Sequence, residues 1–286
     1  MSVIQEGDPQ APAYVFLHGW PETADCWREV MHRAATDGNF AVALNLLDLS
    51  TDSTGSTGST DSTDSTDGTG STGSTGRTHG TDGTKTALAA AVRETIQPLG
   101  LKDVTLVGHD CGGMVAFAYL RAYGEELRRA VIMNTVVPGV APWDEVLRNP
   151  YIWHFGFHAV PGLPELLVRG REREYFDYFY DILSPDPSAV PAAARERYAA
   201  AYANNLEAGF RWYRAFAEDA KANEAPVDVR TPLLYLRGEH EGGDIAAYAR
   251  GLRAAGIRDV TTGVLAGAGH FAPDQVPDEV WRHING

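Results

Sequence analysis

In the run Val104-Thr105-Leu106-Val107-Gly108-His109-Asp110-Cys111-Gly112-Gly113 an apolar strand passes almost directly into a helix, with a carboxylate standing on the turn. A side chain can be held on so sharp a turn only among small neighbours, here Gly108, Gly112 and Gly113, and the helix that follows aims its first amides at it. Serine is the usual occupant of such an elbow. Asp110 changes the chemistry: serine needs a base to take its proton, whereas a carboxylate is ionised at neutral pH and attacks an electrophilic sp3 carbon directly. The product is an ester on the protein. A second step must hydrolyse it, with a histidine activating water and another carboxylate orienting that histidine. The neighbours read more plainly, His109 as a packing residue and Cys111 as a small apolar wall, since the elbow has room for one nucleophile.

Working outward, Ala13 to Leu17, Phe40 to Leu44, Val104 to Val107 and Ala130 to Met133 read as buried strands. Helical patterns over Ala24 to Thr36, Thr86 to Gln97 and Gly113 to Tyr123 separate them. Strand and helix alternating in this way imply an α/β fold, a mostly parallel sheet covered on both faces with its site at the carboxyl ends of the strands. From 138 to 226 the strand pattern stops and the sequence turns helical and aromatic, which reads as an inserted cap; the core is then 1–137 and 227–286. Alternation resumes with Leu233 to Leu236, a helix near Ile245 to Ala255, Val260 to Leu265 and a last helix from Asp278. The segment 50–86 fits neither pattern: a repetitive Ser/Thr/Gly/Asp tract, it reads as a flexible insertion spanning about 35 Å if unconstrained. It leaves the carboxyl end of the second strand, so it could drape over the cap entrance.

His270 follows the last strand in Gly267-Ala268-Gly269-His270-Phe271 and is the expected base. Its acid partner is expected after Leu233 to Leu236, where Glu241 is the first choice and Asp244 the alternative; Glu239 sits too close to the strand end. His18-Gly19-Trp20-Pro21 follows the first strand, and the amides of Trp20 and Cys111 are the expected oxyanion hole.

Composition excludes several other classes. The 286-residue chain carries a formal charge of −14 without a Lys/Arg cluster, which disfavours nucleic acid and anionic lipid as partners. No apolar stretch suits a membrane span, and the start lacks the pattern of a signal peptide, so a cytoplasmic protein is expected. Cys26 and Cys111 are too few for a disulfide framework, and no Cys/His grouping has zinc spacing, so neither metal nor cofactor is expected. The expected partner is a small hydrophobic substrate, and the expected assembly a monomer or homodimer.

Together the elbow, His18-Gly19-Trp20-Pro21, the cap and Gly269-His270-Phe271 resemble the epoxide hydrolases and haloalkane dehalogenases of the α/β-hydrolase superfamily. The resemblance implies the α/β-hydrolase fold with a helical cap. Epoxide hydrolases carry an elbow of the form Gly-His-Asp-Trp-Gly-Gly, from which Cys111 departs; that Trp helps bind halide in haloalkane dehalogenases, and fluoroacetate dehalogenases place an Arg after the nucleophile. Gly209-Phe210-Arg211-Trp212-Tyr213-Arg214 looks like the cap run of epoxide hydrolases whose Tyr protonates the epoxide oxygen, so the resemblance makes Tyr213 the donor. An epoxide opens to a basic alkoxide that needs an acid, whereas halide leaves unprotonated. The family's other cap Tyr is missing from Trp153-His154-Phe155-Gly156-Phe157-His158, where His154 or Trp153 would stand in. Tyr178, in the aromatic stretch Tyr175 to Tyr180, could supply a phenol, and with His18, Trp153 and His154 it is expected at the substrate. An opening hairpin and an Asp-Leu-x-Gly turn usual in the family are expected to be absent. The leading expectation is epoxide opening to a vicinal diol. Dehalogenation through the same Asp, His and acid is the alternative, and a non-hydrolytic ligand-binding or cyclase variant the third.

Overall fold

The computed structural model of the chain describes residues 3–50 and 81–286. Its sheet contains β1 (Val3–Glu6), β2 (Pro12–Leu17), β3 (Phe40–Leu44), β4 (Lys102–His109), β5 (Arg129–Met133), β6 (Leu233–Gly238) and β7 (Val260–Leu265), in the order β1-β3-β2-β4-β5-β6-β7. β1 is antiparallel to β3, and every other neighbouring pair is parallel. Burial on both faces explains why β2 to β5 read as unbroken apolar runs: all of β3 is buried, as is β2 after Pro12. The register sets Leu17 beside Gly108, and His109 beside Met133. The turns leaving β2, β4 and β5 therefore share one rim.

Most elements fall where the sequence puts them, with boundary changes that have local causes. The expected helix from Ala24 begins as a 3-10 turn, Ala24–Trp27, before the α-helix Arg28–Thr36. The elbow helix starts at Cys111 rather than Gly113, because a single residue, Asp110, makes the whole reversal. β1 went unassigned in the sequence: it is short, and only Val3 and Ile4 are apolar. It pairs with β3 and not with β2, so it makes no opening hairpin.

Between Pro138 and Pro226 there is no strand. The helices Trp153–Ala159, Glu172–Ile182 and Leu206–Arg214 turn aromatic side chains inward, where Trp20 packs edge-on against Phe176, Phe179 and Tyr213. Burial of these rings is what fastens the helical layer to the rim of the sheet. A second fastening is ionic: Lys85 Nζ lies 2.9 Å from Asp219 Oδ2, both side chains buried, and joins the helix Lys85–Ile96 to Phe216–Asn223. The reading of 50–86 as a flexible insertion lies outside the described residues over 51–80; at its two ends it is corrected, since Ser50 closes the helix Leu46–Ser50 and Lys85 opens Lys85–Ile96, both buried. Its flanks meet: the Thr81 amide donates to the Leu49 carbonyl at 3.2 Å, and Trp212 Nε1 donates to Ser50 Oγ at 2.8 Å. Among the described residues no helix is long and apolar enough to cross a membrane.

Candidate active site

Asp110 adopts φ 47° and ψ −120°, the left-handed conformation that a reversal between strand and helix demands and that a non-glycine residue adopts only under constraint. The constraint is visible. Its amide donates to the Met133 carbonyl, and its own carbonyl accepts from the Thr135 hydroxyl at 2.7 Å and from the Gly113 amide at 2.9 Å. Close packing explains the glycines: a Cβ on Gly112 would lie 2.4 Å from the Leu17 carbonyl oxygen, and one on Gly108 2.3 Å from that of Gly112.

The carboxylate so presented meets two groups. The Trp20 amide, on the turn after β2, donates to Asp110 Oδ2 at 2.9 Å. His270 Nε2 lies 4.0 Å from Asp110 Oδ1, and its Nδ1 lies 3.2 Å from Glu241 Oε1. Burial would depress the His270 imidazole, but Glu241 and Asp110 outweigh it and raise its pKa to about 9. Burial works to raise Glu241, yet His270 and then Arg237 hold it below the usual carboxylate range. Arg237 also keeps the Glu241 loop in place, donating through Nε to the Gly242 carbonyl at 2.7 Å and through Nη1 to Tyr235 Oη at 2.8 Å.

Asp110 and His270 open into a cavity of about 690 Å3 roofed by the helical layer. Its walls include the aromatic side chains of Trp20, His154, Phe155, Phe179 and Tyr213 and the exposed polar residues Glu145, Asn149 and Asp244. Burial, reinforced by Cys111 and Asp110, pushes the Tyr213 phenol well above its usual value, so it carries its proton at neutral pH. His154 moves the other way: burial lowers it to about 4, leaving a neutral imidazole, and its Nδ1 is buried without a hydrogen-bond partner. Burial, with the Asp110 charge adding to it, raises the Cys111 thiol far above its usual value, which makes it inert; expected as a wall of the pocket, Cys111 does not line the cavity.

The structure thus brings together Asp110, His270, Glu241, Tyr213, His154 and Trp20, with Cys111 opening the elbow helix. Three residues expected at the substrate lie away from the cavity walls. His18 is fully buried beneath the turn, its Nε2 accepting from the Leu46 amide at 3.0 Å and its Nδ1 facing the Gly19 carbonyl at 2.8 Å, so it shapes the turn from below. Trp153 and Tyr178 pack against each other with ring centroids 6.1 Å apart, partly exposed and not among the cavity walls, because their helices turn Phe179 and His154 inward instead. Asp244 caps the helix Ile245–Ala254 by accepting from the Ala246 amide at 2.9 Å, which leaves Glu241 as the carboxylate on the imidazole. Sequence reasoning passed over Glu22, Asn134 and Arg237. Asn134 Nδ2 donates to the His270 carbonyl at 2.7 Å and to that of Gly269 at 2.9 Å; its place directly after β5, on the shared rim, was the available signal.

Comparison with known proteins follows the same lines. A family model described as alpha/beta hydrolase fold matches residues 12–276. The chain is similar to a soluble epoxide hydrolase of Corynebacterium sp. (strain C12), 26% identical over 278 residues that cover 93% of this chain and 86% of that protein. It is also similar to epoxide hydrolase 3 of Mus musculus, 23% identical over 98% of this chain and 71% of the relative. Among solved structures, Cfl2 from Burkholderia cenocepacia superposes with a TM-score of 0.78 at 26% identity, covering 99% of this chain and 90% of that one. The epoxide hydrolase CorEH superposes with a TM-score of 0.77 at 22% identity, over 99% and 92% of the two chains, which bears on the fold alone.

Proposed function

The chain belongs to the alpha/beta hydrolase fold family and within it resembles the epoxide hydrolases, and from that premise we propose that it opens a small hydrophobic epoxide to a vicinal diol in the cytoplasm. The observation that carries the reading is one constellation: a carboxylate on the elbow, an imidazole 4.0 Å from it with Glu241 behind, and a protonated phenol lining the same cavity.

In the first half-reaction an Asp110 carboxylate oxygen attacks the less hindered epoxide carbon, the ring C–O bond breaks, and the oxygen takes the phenolic proton of Tyr213. A neutral His154 is a second donor to that oxygen. The helices between 138 and 226 act as a cap that keeps bulk water from the alkoxide. Ester formation removes the Asp110 charge. Because that charge helps to hold the His270 proton, the imidazole releases a proton as the Tyr213 phenolate takes one up, and the proton count of the site is unchanged. In the second half-reaction neutral His270, oriented by Glu241, takes a proton from water as the oxygen attacks the ester carbon. Charge developing on the carbonyl oxygen is met by the Trp20 amide, with the Cys111 amide as its partner. Collapse expels the diol oxygen, which recovers the proton from His270, and the proton left on the Asp110 carboxyl group passes to the imidazole, restoring the starting state.

Intact-mass measurement of a His270→Gln variant incubated with a panel of epoxides tests this. The expected result is an adduct of epoxide mass on Asp110, together with diol formation by the wild type. Halide release from haloalkanes or haloacids with no diol from any epoxide would select the dehalogenase, and no adduct with either class would dismiss both.

A further inference from the structure

Behind the Asp110, His270 and Glu241 constellation lies a second carboxylate–imidazole pair. His109 precedes the nucleophile in the chain, and its side chain, like that of Glu22, is wholly excluded from solvent. His109 Nδ1 lies 2.8 Å from Glu22 Oε2, and Nε2 lies 2.8 Å from the backbone carbonyl of His270. A carboxylate oxygen and a peptide oxygen can only accept, so each ring nitrogen faces a group that an N–H satisfies: Nε2–H donates to the His270 carbonyl, and Glu22 fixes the ring through Nδ1. Among the described residues Glu22 Oε1 has no hydrogen-bond partner, so the side-chain hydrogen bonding of the carboxylate goes to His109. The chain positions matter as much as the distances. Glu22 stands two residues after Trp20, whose amide holds Asp110; His109 adjoins Asp110; the accepting carbonyl belongs to His270. One buried pair therefore connects the oxyanion turn, the elbow and the base loop.

The base loop needs such a hold. The His270 amide donates to the Leu183 carbonyl at 2.9 Å, in the helical layer, so a shift of that layer pulls on the residue. The His270 carbonyl answers with two donors from the sheet rim, Asn134 Nδ2 and His109 Nε2.

We propose that His109, oriented by Glu22, is a positioning residue for the hydrolytic half-reaction: by holding the His270 carbonyl it sets the distance between the His270 imidazole and the ester carbon of Asp110. The inference rests on the proposed two-step reaction. His270 acts on water only after the ester exists, so loosening it slows the second step and spares the first. A displacement of about 1 Å at a catalytic group costs on the order of 100-fold in rate.

Single-turnover mixing with styrene oxide, or another epoxide that the wild type converts to diol, followed by intact-mass quantitation of the ester, separates the two rates. In His109→Phe the ester is expected to form within about 3-fold of the wild-type rate and to hydrolyse about 10- to 100-fold more slowly, so that it accumulates. Glu22→Gln is the conservative rescue: its amide can donate to Nδ1 and leave Nε2–H on the carbonyl, so most of the hydrolysis returns. Because Phe at 109 strands a buried carboxylate and can unfold the protein, the pair Glu22→Leu/His109→Phe removes the charge as well and is expected to show the same ester accumulation. Equal slowing of both steps, or wild-type ester hydrolysis in His109→Phe, overturns the proposal and leaves the functional reading standing. If His270→Gln forms no ester with any epoxide, the functional reading fails, and this proposal falls with it.

Discussion

His270 is held between two carboxylates, with Glu241 at 3.2 Å on one nitrogen and Asp110 at 4.0 Å on the other, and its pKa of about 9 follows from them. Replacing Asp110 by Ala removes one of the two charges; a fall of the His270 pKa toward the usual 6.5 is expected, read by NMR titration of the imidazole. The sign for stability follows from the raised value. The folded state binds the proton more tightly than the unfolded chain, so this contribution is complete below about pH 6.5 and is lost as pH rises through about 9, amounting to at most about 3 kcal/mol. Urea midpoints of the wild type and His270→Gln should therefore converge between pH 6 and pH 9. On the proposed reaction, Tyr213→Phe is expected to slow ester formation from an epoxide by about 100-fold, and the loss should be smaller with an alkyl halide of similar shape, whose leaving group takes no proton.

At the scale of the element, the strand-to-helix elbow was legible because it is written in glycines at fixed offsets from one carboxylate. Gly112→Ala would drive a Cβ to 2.4 Å from the Leu17 carbonyl and separate β2 from the elbow; a loss of about 3 kcal/mol or more, with little soluble enzyme, is the expected outcome by thermal unfolding. Lys85 was not legible as anything but a helix residue, since its partner Asp219 lies far along the chain in a segment whose packing no local pattern sets. Lys85→Met should cost about 3 kcal/mol, with much of the loss recovered in Lys85→Met/Asp219→Leu, because the penalty lies in the stranded charge. The same division explains the site. Asp110 stands directly after β4, and Glu241 and His270 on the loops that leave β6 and β7, where topology delivers side chains to one rim. Which face of a helix between 138 and 226 turns inward depends on packing, so His154 was found alongside Trp153 and Tyr178, and only the fold separated them.

For the whole molecule, the flanks of the low-complexity tract are the feature with the widest reach. Leu49 and Thr81 are hydrogen-bonded neighbours, and Ser50 is fastened to Trp212, one residue from Tyr213. Removing 51–80 and closing the gap with a two-residue Asn-Gly link is expected to leave the melting temperature within about 3 °C, since no long detour has to be bridged. If the tract drapes over the cap entrance, KM should move while kcat stays near its original value, and steady-state kinetics on the shortened chain would report it. Nothing in the fold meters what leaves at residue 50, provided that it returns to residue 81. The paired flanks work as a socket, and a peptide tag, a sensor domain or a second enzyme grafted there would enter and leave through neighbouring points one residue's reach from the helix that carries Tyr213.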